Sequence, residues 1–124
     1  MSATKPRQAV LVVEDESLVR MFAVDVLEDE GYEVIEASDA EQALAELKAR
    51  PDIGLVFTDI NMPGAMDGVG LAREIGRAMP GVHVILTSGK YLSRDEIPVT
   101  TPFMTKPYTA HQLLGLMEKF LSRE

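Results

Sequence analysis

Cysteine is absent from this sequence of 124 residues. That excludes disulfides, thiol catalysis and cysteine-ligated metals, and it fits a reducing compartment without proving one. Basic residues are in deficit, 12 against 20 acidic, for a formal net charge of -8. A chain so charged is repelled by phosphate backbones and anionic lipid, so neither nucleic acid nor a membrane surface is expected as a direct partner. Long apolar runs are missing too. Nothing approaches the roughly 20 residues needed to cross a bilayer, and "MSATKPRQ" at the N-terminus lacks the apolar centre of a signal peptide. A cytoplasmic location is therefore expected. No internal repeat or low-complexity linker divides the chain, and its length suits one domain.

What is present is an alternation of short apolar runs with stretches of helical period. The expected strands are "AVLVV" (9–13), "YEVIEA" (32–37), "IGLVFT" (53–58), "HVILTS" (83–88) and "FMT" (103–105). Three of them are nearly continuous in Val, Ile and Leu, as strands covered on both faces should be. Between them, "SDAEQALAELKA" sets Ala40, Ala43, Leu44 and Leu47 on one helix face, with Ser38 and Glu41 spaced as a capping box. Further helices are expected over 17–30, stopped by Gly31, over 67–79, stopped by Pro80-Gly81, and over 109–122. This alternation predicts an α/β fold with a parallel sheet and right-handed crossovers, preceded by a tail over 1–8.

Ligands of an open parallel sheet collect beyond the carboxyl ends of its strands. The first strand runs into Glu14 and Asp15, the third into Asp59, the fourth into Ser88 and the fifth into Lys106. Three carboxylates brought to one edge repel one another, and a hard divalent cation with oxygen ligands, Mg2+ foremost, relieves that repulsion. A lysine and a hydroxyl beside such a metal suit a phosphoryl group. Taken singly, each residue has a plainer explanation: Asp59 as a turn or helix cap, Glu14 and Asp15 as charge near a helix N-terminus, Lys106 as a solvated surface lysine. Together they point to chemistry.

The motifs "VVEDE", "TDINMPG" with "MDG", "LTSG" and "FMTKPY", in that order, resemble the receiver domain of bacterial two-component response regulators, of the chemotaxis-regulator type. The resemblance covers about residues 9–121. It implies a doubly wound, flavodoxin-like receiver fold of five parallel strands in the order 2-1-3-4-5. It also implies that Asp59 accepts a phosphoryl group from a phosphohistidine on a sensor histidine kinase or histidine phosphotransfer protein. Asp15, Asp59 and the backbone carbonyl of Asn61 would hold Mg2+, with Glu14 direct or through water. Lys106 would contact the phosphoryl oxygens, and a cis Lys106-Pro107 bond would aim it inward. Ser88, rather than Thr87, would donate its hydroxyl, and Phe103 would be the aromatic partner of that switch. Such a chain is no enzyme beyond its own phosphoryl uptake and loss.

Two departures from the family pattern stand out. "MPGAMDG" holds one residue more than usual, and the stretch 89–105, with Pro98 and Pro102 in it, is too short for the usual fourth helix. At best 93–97 forms a single turn there, and Lys90 adds a basic group two positions past Ser88. His83 and His111 belong to no constellation and are expected to be structural. With no output segment after Glu124, a stand-alone receiver signalling to an unknown downstream protein is expected, with one cut from a hybrid kinase as the main rival. An aspartyl-phosphate phosphatase is disfavoured because Asn61 replaces its second Asp. A flavin or nucleotide binder is disfavoured because "EDES" sets acids where a phosphate loop would lie. A non-phosphorylated pseudo-receiver remains the alternative.

Overall fold

A computed structural model describes residues 9–89 and 101–121. The elements run β1 (Ala9–Val13), α1 (Ser17–Asp29), β2 (Val34–Ala37), α2 (Ala40–Ala49), β3 (Ile53–Asp59), α3 (Gly68–Ala78), β4 (His83–Ser88), β5 (Phe103–Thr105) and α4 (Ala110–Phe120). All strand pairings are parallel, in the order β2-β1-β3-β4-β5. The expectations for the fourth helix over 93–97 and for Lys90 lie outside the described residues, as does Ser122.

The apolar strands divide their side chains between two layers because successive residues point to opposite faces. Val10, Val12, Leu55, Phe57 and Ile85 pack against Ala23, Val24 and Leu27 of α1 and Leu113 and Met117 of α4. Leu11, Val13, Ile53 and Val56 pack instead against Ala43 and Leu47 of α2 and Leu71 and Ile75 of α3. The sheet is thus covered on both sides, which leaves its carboxyl edge as the open place for polar groups.

Several helix ends fall one residue inside the sequence reading, where Glu30, Asp67, Met79 and Thr109 serve as caps, and three further boundaries differ. The second strand starts at Val34 rather than Tyr32, because Tyr32 belongs to the end of α1. Its N–H donates to the Leu27 carbonyl at 3.1 Å while Gly31, at φ 96°, donates to Glu28 at 2.9 Å. This is a Schellman closure in which buried Tyr32 also packs in the layer of Leu27. The expected Ser38–Glu41 capping box at α2 does not form, and the cap is displaced by one residue: Asp39, not Ser38, is the N-cap. Its Oδ1 accepts from the Gln42 N–H at 2.8 Å, and Gln42 Oε1 accepts from the Ser38 N–H at 3.1 Å. The third strand runs one residue further, so that Asp59 still pairs with Thr87.

The start of α3 is set by a close approach. Gly68 lies so near β3 that a Cβ there would stand 2.1 Å from the Asp59 carbonyl oxygen. Its N–H donates to the Ile60 carbonyl at 2.9 Å, and Asp67 caps the helix through the Gly70 N–H. The "MDG" triplet therefore locks α3 onto the residue that ends β3.

Candidate functional site

Glu14, Asp15 and Asp59 meet at the carboxyl edge, each offering a carboxylate oxygen within 4.8 Å of the others. Glu14 and Asp59 are buried, at 3% and 4% exposure, while Asp15 faces solvent. Like charges at that spacing repel by roughly 3 kcal/mol per pair at an effective dielectric of about 20. One cation inside the cluster offsets part of this: Lys106 Nζ lies 2.8 Å from Glu14, 3.2 Å from Asp59 and 3.5 Å from Glu16. The Lys106-Pro107 bond that precedes α4 is cis.

The titration properties follow from this packing. Burial pushes the Glu14 carboxyl above its usual value and the Asp59 charge adds to the push, against the opposing bond from Lys106. For Lys106, burial acts downward, but the bond to Glu14 and the charges of Asp59 and Glu14 outweigh it and hold the ammonium above its ordinary value. Beside them, the Tyr108 phenol is pushed up to about 12 by burial and by the Glu14 charge. One ammonium against three acids leaves the edge negative, and the donors are all hard oxygens. Those are the properties that suit a hard divalent cation such as Mg2+.

The remaining site residues sit around this cluster. Asn61, two residues past Asp59, donates from Nδ2 to Ser88 Oγ at 3.1 Å, and its N–H approaches Asp59 Oδ1 at a long 3.4 Å. Register pairs Thr87 with Asp59 and Ser88 with Thr105. The hydroxyl that meets the turn after Asp59 is that of Ser88, which shares the face of β4 that carries Leu86 beside Ile60, whereas Thr87 shares the opposite face with Ile85. Thr87 Oγ1 is buried with no hydrogen-bond partner among the described residues. Phe103 is half-buried, opposite Leu86 in the ladder, and packs on the Ile60, Ala72 and Leu86 cluster. His83 stacks on Phe120 at 5.2 Å, away from the acids.

Sequence reasoning missed an apolar patch beside the site. On α1, Leu18, Met21 and Phe22 are 80%, 54% and 42% exposed. Leu18 and Phe22 line an open groove of about 640 Å³ with Val19, Lys106, Pro107 and Tyr108. The signal was available: "LVRMF" places large apolar residues on the side of α1 away from Ala23, Val24 and Leu27. Among the described residues, no helix is long and apolar enough to cross a membrane.

The chain belongs to the response regulator receiver domain family, which residues 10–117 match. It is 36% identical to the transcriptional regulatory protein PdtaR of Mycobacterium tuberculosis over 129 residues, spanning 98% of this chain and 60% of that protein. It is 32% identical over 116 residues to the response regulator receiver protein CpdR of Brucella abortus, covering 90% of this chain and 95% of that one. Among solved structures, the NtrX receiver domain from Brucella abortus superposes with a TM-score of 0.81 at 34% identity, over 93% of this chain and 99% of its own. The fold is thus the flavodoxin-like receiver fold, and the chain spans 60% of PdtaR, 48% of the aerobic respiration control protein ArcA of Escherichia coli and 26% of the nitrogen assimilation regulatory protein NtrX of Azorhizobium caulinodans.

Proposed function

We propose that Asp59 accepts a phosphoryl group from a phosphohistidine of a sensor histidine kinase or a histidine phosphotransfer protein, and that the modified chain changes its contacts with a downstream protein in the cytoplasm. The observation that carries this reading is the meeting of Glu14, Asp15 and Asp59 within 4.8 Å of one another, with the Lys106 ammonium on Glu14 and Asp59. Asp15, Asp59 and the Asn61 carbonyl would hold Mg2+, with Glu14 direct or through water. When bound, the cation supplies charge neutralisation on the incoming phosphoryl oxygens.

The chain's own residues do the rest. An Asp59 carboxylate oxygen attacks phosphorus as the phosphorus–nitrogen bond of the donor breaks. The electron pair leaves on the imidazole nitrogen, which takes a proton from solvent. Lys106 presents its charge to the transferred oxygens, a task suited to a compact ammonium. Ser88 donates its hydroxyl to another of these oxygens. Water later hydrolyses the acyl phosphate and restores the carboxylate. Phe103 follows Ser88 by packing alone, having no hydroxyl to hold either state. The exposed apolar residues of α1 beside the cluster support a protein, rather than a small molecule, as the donor.

The test is intact mass after incubation with acetyl phosphate, with and without Mg2+, on the wild type and Asp59→Ala. A gain of one phosphoryl group that needs both Mg2+ and Asp59 is expected. No gain under conditions that label a known receiver would leave a pseudo-receiver that works by binding alone.

A further inference from the structure

One cationic side chain reaches the acid cluster from outside it. Arg20, in the first turn of α1, donates from Nη1 to the Glu14 backbone carbonyl at 2.7 Å and from Nε to Glu36 Oε1 at 3.0 Å. It thereby ties α1 to the edge strand β2 across the exit of β1. The carbonyl it holds belongs to the peptide that joins Glu14 to Asp15, two of the three clustered acids.

The loop between β1 and α1 needs such a brace. Glu14 is fixed on its amide side, where its N–H extends the ladder onto the Ala37 carbonyl at 3.0 Å. Its own carboxylate accepts from the Glu16 N–H at 3.1 Å. Between these anchors Asp15 is exposed, while Glu16, the N-cap of α1, is held by its bond to Glu14 and by Lys106 at 3.5 Å but makes no side-chain cap bond. The direction of the Asp15 side chain then depends on the plane of the 14–15 peptide, which the guanidinium holds from the carbonyl side.

We propose that Arg20 is a positioning residue for the acid cluster, orienting the Glu14–Asp15 peptide so that the Asp15 carboxylate stays aligned with Asp59 and Glu14 for a divalent cation. This rests on the reading of the cluster as a Mg2+ site. A guanidinium so placed also carries a positive charge, which taken alone would weaken cation binding. Glu36 cancels most of that charge at 3.0 Å, and the pair is partly solvated, so its remaining field is screened. Orientation therefore outweighs repulsion. Partners that orient metal ligands in this way are worth about tenfold or more in affinity.

The experiment is calorimetric titration of Mg2+ into the wild type, Arg20→Met, Arg20→Lys and Glu36→Gln, well below the thermal transition, together with amide exchange in metal-free protein. Arg20→Met should raise the Mg2+ Kd about tenfold and speed exchange at Glu16, whose N–H is bonded to the Glu14 carboxylate. Arg20→Lys, which keeps the charge but not the two-pronged reach, should behave like Arg20→Met. Glu36→Gln, which keeps the bond to the Glu14 carbonyl and exposes the charge, should weaken binding far less and leave exchange at Glu16 unchanged. Unchanged or tighter Mg2+ binding by Arg20→Met overturns the proposal, as does weaker binding with unaltered exchange at Glu16. Failure of the wild type itself to bind Mg2+ overturns the reading of the cluster and the proposal with it. Equal binding by wild type and Arg20→Met overturns the proposal alone.

Discussion

Gly68→Ala should be among the most damaging single-methyl additions in this protein, although it is a modest change in a helix. The added Cβ would lie 2.1 Å from the Asp59 carbonyl oxygen, 2.7 Å from Ile60 Cα and 2.9 Å from the Asp59 carbonyl carbon. All three are backbone atoms of the strand exit and cannot swing aside, so α3 must retreat by about 1 Å to restore ordinary contact. Overpacking of this kind costs roughly 1–3 kcal/mol. Stretching the Gly68 N–H bond to the Ile60 carbonyl adds about 1 kcal/mol. Helix propensity returns at most about 0.5–1 kcal/mol to alanine, leaving a net loss of roughly 1–3.5 kcal/mol. The control is in the same helix: at Gly76 a Cβ meets nothing within 4 Å, so Gly76→Ala should stabilise by about 0.5–1 kcal/mol. Urea denaturation of the two variants should therefore give shifts of opposite sign. Because the retreat drags on Asp59, Gly68→Ala should also take up phosphoryl from acetyl phosphate more slowly, and Gly76→Ala should not. A Gly68→Ala protein as stable as the wild type would refute the claim that α3 is seated on the Asp59 backbone.

Two further outcomes follow from the packing. Lys106→Met leaves Glu14 and Asp59 facing each other without their shared cation, and should cost roughly 3 kcal/mol at neutral pH without divalent ions. The Glu14 carboxyl, already raised by burial, should rise further in the variant. A carboxyl raised on folding is destabilising above its folded value, and that penalty fades as pH falls toward its unfolded value. The stability gap to wild type should therefore narrow between pH 8 and pH 5, and a gap that widens on acidification would contradict the assignment. Thr109 caps α4 by accepting from the Gln112 N–H at 3.1 Å, with Gln112 Oε1 accepting from the Thr109 N–H at 2.9 Å. Thr109→Ala should cost about 1 kcal/mol by urea denaturation, and an unchanged midpoint would show that the box contributes nothing.

The strand succession was already legible in the apolar pattern, because runs such as "AVLVV" and "IGLVFT" are too apolar to lie anywhere but under helices on both sides. So was the shared edge of Glu14, Asp15, Asp59 and Lys106, since every strand of a parallel sheet ends on the same side. Local signals were legible only to within a residue: Ser38 and Asp39 can both cap a helix, and the exit of β2 at Ala37 decides between them. Tyr32 carries the composition of a strand residue, yet the positive φ of Gly31 commits it to closing α1. Tertiary structure alone placed the Lys106 ammonium between Glu14 and Asp59, set Gly68 against the Asp59 carbonyl, and sent the Arg20 side chain to Glu14 on one side and Glu36 on the other. The reason is that periodicity reports which face a residue occupies, whereas a contact of 2–3 Å between segments far apart in the chain depends on the spacing and rotation of whole elements, which are fixed only when the core closes.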